Sequence, residues 1–260
     1  MQEIVHEIKS WIYEASERIR ASIASNQLTV CTKSDRTDLV TNIDKETQDF
    51  LMTKIKNFDP TAKVLGEENN QNHLTDFSGT VFIVDPIDGT MNFVLEQENF
   101  CLMIAVYEEA KPSLGFIYDV VKDVLLWGGP SIGVYRNDER IDAPANKGVA
   151  EGLIGVNAGM YGTNFAHVRE IGNMALGVRM SGCAGVELIA LILGKRIGYI
   201  SNLSPWDYAA GGVLLQTLGL KMSNISGDAL NLSDREFFVA GTPKAYEEMR
   251  RLLQKDEKVS

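Results

Sequence analysis

The sequence predicts a mixed α/β protein of two lobes around one cleft, an α+β lobe over residues 1–145 and an α/β lobe over residues 146–260. Three observations carry that expectation. Apolar residues in the opening segment recur at helical spacing. From about Lys63 the chain changes to short apolar runs separated by turn residues, the mark of strands in series. After "APANKG", strand-like and helix-like segments alternate.

Taken in order, Ile4, Ile8, Trp11, Ile12, Ala15 and Ile19 line one face of an amphipathic first helix. "DLVTNIDKETQDFLMTKIKNF" predicts a second, because Thr41 precedes Asp44 by three residues in a capping pattern. "AKVLGEE", "TVFIVD", "FCLMIAVYEE", "KPSLGFIYDV", "DVLLWGG" and "IGVYRNDERI" read as strands of a mostly antiparallel sheet covered by those helices. Beyond the linker, "GLIGVNA", "VRMSG" and "RIGYIS" read as strands. "FAHVREIGNMAL", "AGVELIALILG" and "PWDYAAGGVLLQTLG" read as helices, and "EFFVAGT" and "PKAYEEMRRLLQK" close the chain. No internal repeat or low-complexity tract interrupts this order.

Composition narrows the function. A net charge of −10 over 260 residues argues against a nucleic-acid backbone or an anionic membrane as partner, so cations must mediate if the substrate is an anion. Cys31, Cys101 and Cys183 are too few and scattered for a disulfide framework or zinc ribbon, and read as reduced thiols of a cytoplasmic protein. The N-terminus has acids throughout and no signal-peptide core. The run near "VELIALILG" is too short to span a bilayer.

The chemistry concentrates in "VFIVDPIDGTMNF". A buried strand would end on Asp85, and Pro86 would set a turn that returns Asp88 beside it. Two close carboxylates repel unless a proton or cation sits between them, and an oxygen-rich site suits Mg2+. Gly89 and Thr90 would follow with amide N–H groups able to cradle a phosphate. "VLGEENNQ" ends another apolar run on Glu67 and Glu68, and "SPWDYAAGG" adds Asp207. Each segment also has an ordinary reading: a solvated Asp-Pro turn, a pair of loop acids, a capped helix start.

Their order is more specific than any one of them. "DLVTNID", "GEE", "DPIDGTMNF" and a distant "PWDYAAG" together resemble the inositol monophosphatase family of Mg2+-dependent phosphomonoesterases, from about Lys33 to Gly211. The resemblance implies a layered αβαβα sandwich of the inositol monophosphatase/fructose-bisphosphatase type, usually a homodimer. It implies two or three Mg2+ ions held by Glu67, Asp85, the carbonyl of Ile87, Asp88 and Asp207. It makes Thr90, Asp44 and Glu67 the catalytic groups, with Thr90 and Asp44 orienting and deprotonating an attacking water without a phosphoenzyme. Substrate contacts fall on Lys33, Asp88, Gly89, Thr90, Gly182, Cys183, Ala184 and Asp207.

The expected substrate is a small phosphate monoester, foremost inositol-1-phosphate. Family members that prefer it often carry an acid seven positions before the last metal aspartate, and here that position is Ile200. This departure keeps open a relaxed or dual specificity toward the 2′-phosphate of NADP, fructose-1,6-bisphosphate or 3′-phosphoadenosine-5′-phosphate. Lithium sensitivity is expected as a family trait. Other chemistries fare worse. "GPSIG" matches a nucleophile elbow, but a strand rather than a helix follows Ser131. His6, His73 and His167 form no zinc motif, and there is no P-loop. A non-catalytic metal- or partner-binding protein is the remaining alternative, disfavoured because every expected carboxylate and Thr90 are present.

Overall fold

The computed structural model describes residues 1–25, 29–32, 39–68 and 73–254. Helix α1 (Gln2–Ser25), the short pair β1 (Val30–Thr32) and β2 (Leu39–Thr41), and α2 (Asn42–Phe58) lead into β3 (Lys63–Gly66) and β4 (Thr80–Asp88). A short α3 (Thr90–Leu95) precedes β5 (Cys101–Glu108), β6 (Lys111–Asp119), β7 (Val124–Gly129), β8 (Gly133–Arg136) and β9 (Glu139–Ile141). Then come β10 (Leu153–Val156), α4 (Ala158–Thr163), α5 (Val168–Met174), β11 (Gly177–Arg179) and α6 (Ala184–Ile192). The chain closes with β12 (Gly198–Leu203), α7 (Pro205–Thr217), β13 (Lys221–Asn224), β14 (Glu236–Gly241) and α8 (Pro243–Leu253).

Strands β3 to β9 form one seven-stranded sheet in chain order, antiparallel except for the β3–β4 pair. Strands β11-β10-β12-β14-β13 form a second, mixed sheet. Alternation along β4 explains the stacking. Phe82 and Val84 face a core shared with Ile8, Trp11 and Ile12 of α1 and Leu51 and Ile55 of α2. Val81 and Ile83 face the opposite way, toward Leu188 of α6 and Val213 and Leu214 of α7. Tyr199 and Phe238 of the second sheet join that middle core. The outer face of the second sheet, with Ile154, Ile200 and Val239, packs on Met160 of α4, Ile171 of α5 and Met249 of α8. The layers therefore run helix, sheet, helix, sheet, helix.

Two local details bear on the site. Thr41 caps α2: its hydroxyl accepts from the amides of Ile43 (3.1 Å) and Asp44 (3.3 Å), while Asp44 Oδ2 accepts from the Thr41 amide at 2.9 Å. Gly115 lets α7 lie directly on β6, since a Cβ there would stand 2.3 Å from the Ala210 carbonyl oxygen.

Some expectations need correction. "IGVYRNDERI" is two strands, β8 and β9, reversed at Asn137, whose φ of 54° a β-strand cannot continue. "FAHVREIGNMAL" becomes helical only from Val168, because Ala166 and His167 hold positive φ. Helices α3 and α4 and strand β13 are too short for periodicity to announce. Ser131 lies in the turn between β7 and β8, with no helix after it, as expected. Among the described residues, no helix is long and apolar enough to cross a membrane.

Candidate active site

Asp85 and Asp88 are three apart, so a regular strand would point them to opposite faces. The structure brings them together by a bulge and not by the turn expected at Pro86. Asp85 pairs with Met103 and Asp88 with Cys101, so Pro86 and Ile87 oppose the single residue Leu102. The extra residue resets the alternation: Ile87 enters the core beneath α1 and α2, and both acids face the middle layer. Proline fits there because a bulge dispenses with one ladder donor. Asp85 Oδ1 also accepts from the Ile87 amide at 3.1 Å, which tightens the bulge.

Helix α7 supplies the third acid. Asp207 Oδ2 accepts from the Ser204 amide at 2.7 Å across the first turn, the capping role expected from sequence. Capping does not exclude a ligand role. One oxygen from each of Asp85, Asp88 and Asp207 lies within 4.8 Å of the others. Glu67, on the loop after β3, lines the same cavity, and its charge raises the proton affinity of Asp44, Asp88 and Asp207. That loop is clamped by Gln48 of α2, whose amide oxygen accepts from the Glu68 amide (2.8 Å) and whose Nε2 donates to the Glu68 carbonyl.

Asp88 sits at the start of α6. It accepts from the Gly185 amide, from the Ala184 amide at 3.3 Å and from Cys183 Sγ at 3.1 Å. Only glycine fits at 185 without a shift, as a Cβ would lie 2.8 Å from Cys101 Cβ and 3.0 Å from Asp88 Oδ2. Thr90 Oγ1 lies 3.0 Å from Asp44 Oδ1 and equally 3.0 Å from the Ile87 carbonyl. Gly89, at φ 87°, turns the chain from β4 into α3 beside Cys183.

These groups line a cavity of about 410 Å3 that includes Glu67, Asp85, Ile87, Asp88, Gly89, Thr90, Gly182, Cys183, Ala184 and Asp207. Asp44 is buried behind Thr90. Lys33 lies outside the described residues. Burial pushes the carboxyl of Asp88 up to about 6 against the pull of the α6 amides. Burial, then the charges of Asp88 and Glu67, pushes Asp207 up to about 8. Burial likewise raises Asp44, outweighing its three hydrogen bonds.

Along β12, Tyr199, Ser201, Asn202 and Leu203 line the site, whereas Ile200 is fully buried in the outer core with Val239. Ile200 is therefore not a vacancy left by a missing ring contact, as the residue count suggested. Three contributors escaped the sequence reading: Gln48, Asn92 and Arg235. Asn92 of α3 donates to the carbonyls of Asn99 (3.0 Å) and Ser181 (2.7 Å), joining the turn after β4 to the start of α6. Each is a lone polar residue in an ordinary helix or loop, without a spacing signal.

The donor set fits a hard divalent cation. It is all oxygen, and its carboxylates lie too close to share the site fully ionised unless positive charge is supplied. A layered αβαβα fold with such a cluster beside a carboxylate-backed hydroxyl defines a class of phosphoric monoester hydrolase. More particularly, the chain belongs to the inositol monophosphatase family, whose sequence model matches residues 1–258. It is 37% identical over 253 residues to the inositol-1-monophosphatase of Bacillus subtilis, covering 94% of each chain. Among solved structures, an IMPase/NADP phosphatase complexed with Mg2+ and phosphate superposes with a TM-score of 0.89 at 28% identity, over 96% of this chain and 95% of that one. The inositol monophosphate-bound SaIMPase-II gives 0.87 at 32% identity, over 98% and 96%.

Proposed function

We propose that this phosphatase hydrolyses small phosphate monoesters with Mg2+, inositol-1-phosphate foremost, by direct attack of water. The observation that carries the reading is the Thr90–Asp44 pair beside the Asp85–Asp88–Asp207 cluster. Glu67, Asp85, Asp88 and Asp207, with the Ile87 carbonyl, would hold the metal, two or three ions in all. Bound Mg2+ would offset phosphoryl charge, lower the pKa of bound water and stabilise the leaving alkoxide.

The protein's own groups do the rest. Thr90 has no useful basicity, but its hydroxyl can accept a proton from water while donating its own to Asp44 Oδ1. Asp44 suits the receiving role because burial raises its proton affinity. Its other oxygen is fixed by the Thr41 amide at 2.9 Å, so little reorganisation accompanies the transfer. The Gly89 and Thr90 amides would hold the phosphate, and Gly182, Cys183 and Ala184 would border the organic half. Because Cys183 and Ala184 already donate to Asp88, we assign them chiefly to positioning that carboxylate.

A dual specificity is the second reading. It is favoured by the NADP activity named for one solved relative. A cytoplasmic homodimer completes the proposal, supported by cysteines that remain free thiols and by the family resemblance. Phosphate release from inositol-1-phosphate, NADP, fructose-1,6-bisphosphate and 3′-phosphoadenosine-5′-phosphate tests it, each with Mg2+ and with EDTA. Release that needs Mg2+ supports the reading; release from none of them overturns it.

A further inference from the structure

Among the described residues lining the cavity, Arg235 is the only cation, facing the acids Glu67, Asp85, Asp88, Glu187 and Asp207. It stands immediately before β14, where Leu203 pairs with Glu236. Its Nη1 donates to the Asn202 carbonyl at 3.0 Å, which fixes the guanidinium at the mouth of the site. Its Nη2 is 3.9 Å from Asp207 Oδ2, the outer limit of an ion pair, and its side chain is 56% exposed. Glu187, by contrast, is already paired with Arg196 at 2.8 Å.

Two roles compete for such an arginine. Neutralising Asp207 would make it a rival of the metal. The contact is too long and too wet for that: at 3.9 Å, with the guanidinium more than half exposed, solvent screens most of the attraction. Most of the charge and most of the donor fork of Arg235 therefore remain available to the cavity. On an acidic wall of a chain of net charge −10, an anionic leaving group is repelled unless a fixed cation meets it. A guanidinium meets phosphate or carboxylate oxygens through paired N–H groups.

We propose that Arg235 is a specificity-determining residue that receives a second anionic group, phosphate or carboxylate, on the organic half of the substrate. The inference rests on the phosphatase reading and extends it from phosphate monoesters at large to doubly anionic ones. The test compares wild type, Arg235→Ala and Arg235→Lys on inositol-1-phosphate, fructose-1,6-bisphosphate and NADP at saturating Mg2+. Arg235→Ala should lose at least about tenfold more kcat/KM on the bisphosphate and NADP than on inositol-1-phosphate, through KM. Lys should restore part of that difference. Equal losses on all three substrates, or a shift of the Mg2+ activation constant, would place Arg235 with Asp207 and overturn the proposal. No loss on any substrate, or a wild type that cleaves inositol-1-phosphate alone, overturns it too while leaving the phosphatase reading intact. Wild-type failure on all three substrates would instead overturn the phosphatase reading.

Discussion

Thr90 and Asp44, 46 residues apart, meet at 3.0 Å, hydroxyl to carboxylate. The contact joins the first turn of α3 to the first turn of α2, so the capping acid of one helix becomes the proton partner of another. Asp44→Asn keeps the shape and a cap oxygen but cannot take the proton. It should lower kcat by about a hundredfold or more with KM little changed. Thr90→Ala should match it, and Thr90→Ser should stay within about tenfold of wild type. Steady-state phosphate release decides; a wild-type rate in Asp44→Asn would remove Asp44 from the proton path.

Asp88→Asn should abolish tight Mg2+ binding, measured by calorimetry on the folded protein, and cut activity by about a hundredfold or more. EDTA should silence the wild type, and added Mg2+ should restore it. Normal Mg2+ binding by the Asn variant would contradict the assigned cluster.

The raised carboxyls make stability depend on pH in a stated direction. Asp88 at about 6 and Asp207 at about 8 hold protons more tightly folded than unfolded. Their cost to the metal-free fold is therefore absent well below the ordinary carboxylate value. It grows as pH rises and is complete above about 8. Thermal melts in EDTA should fall from acid toward alkaline pH across this window. Mg2+ should raise the melting temperature more at the alkaline end, where it no longer displaces protons. A Mg2+ effect independent of pH would contradict the raised values.

Gly185→Ala places a methyl 2.8 Å from Cys101 Cβ and 3.0 Å from Asp88 Oδ2. The helix start must shift, costing about 1–3 kcal/mol, and Asp88 must move with it. The expected result is a folded protein with weaker Mg2+ affinity, read from a melt and a Mg2+ titration. Unaltered Mg2+ affinity would mean that the carboxylate tolerates the shift.

Ile200→Glu would appear from the residue count to restore an acid for inositol. Position 200 faces the apolar core between β12, β14 and α8, so the variant should lose stability by several kcal/mol and gain no selectivity. Urea unfolding and the inositol-1-phosphate rate together decide; a stable variant with improved selectivity would reverse the orientation assigned to this strand.

Local pattern alone was enough for much of this protein. The period of α1, the cap of α2 at Thr41, the runs of β5 to β7 and the cap at Ser204 depend on neighbours a few residues away, and each formed as expected. The motif order likewise singled out Asp85, Asp88 and Asp207, whose carboxylates the fold brings within 4.8 Å of one another. What the sequence could not determine is how separate elements meet. The bulge at Pro86–Ile87 depends on the register of β4 against β5, and that register reverses which face Asp88 occupies. The orientation of Ile200 depends on which face of β12 packs against α8, so counting back from Asp207 misplaced it. Gln48, Asn92 and Arg235 are tied into the site by partners 20, 89 and 33 residues away, Glu68, Ser181 and Asn202. Side-chain periodicity is a property of one strand or helix; a binding site is a property of the layers between them, and only packing decides those.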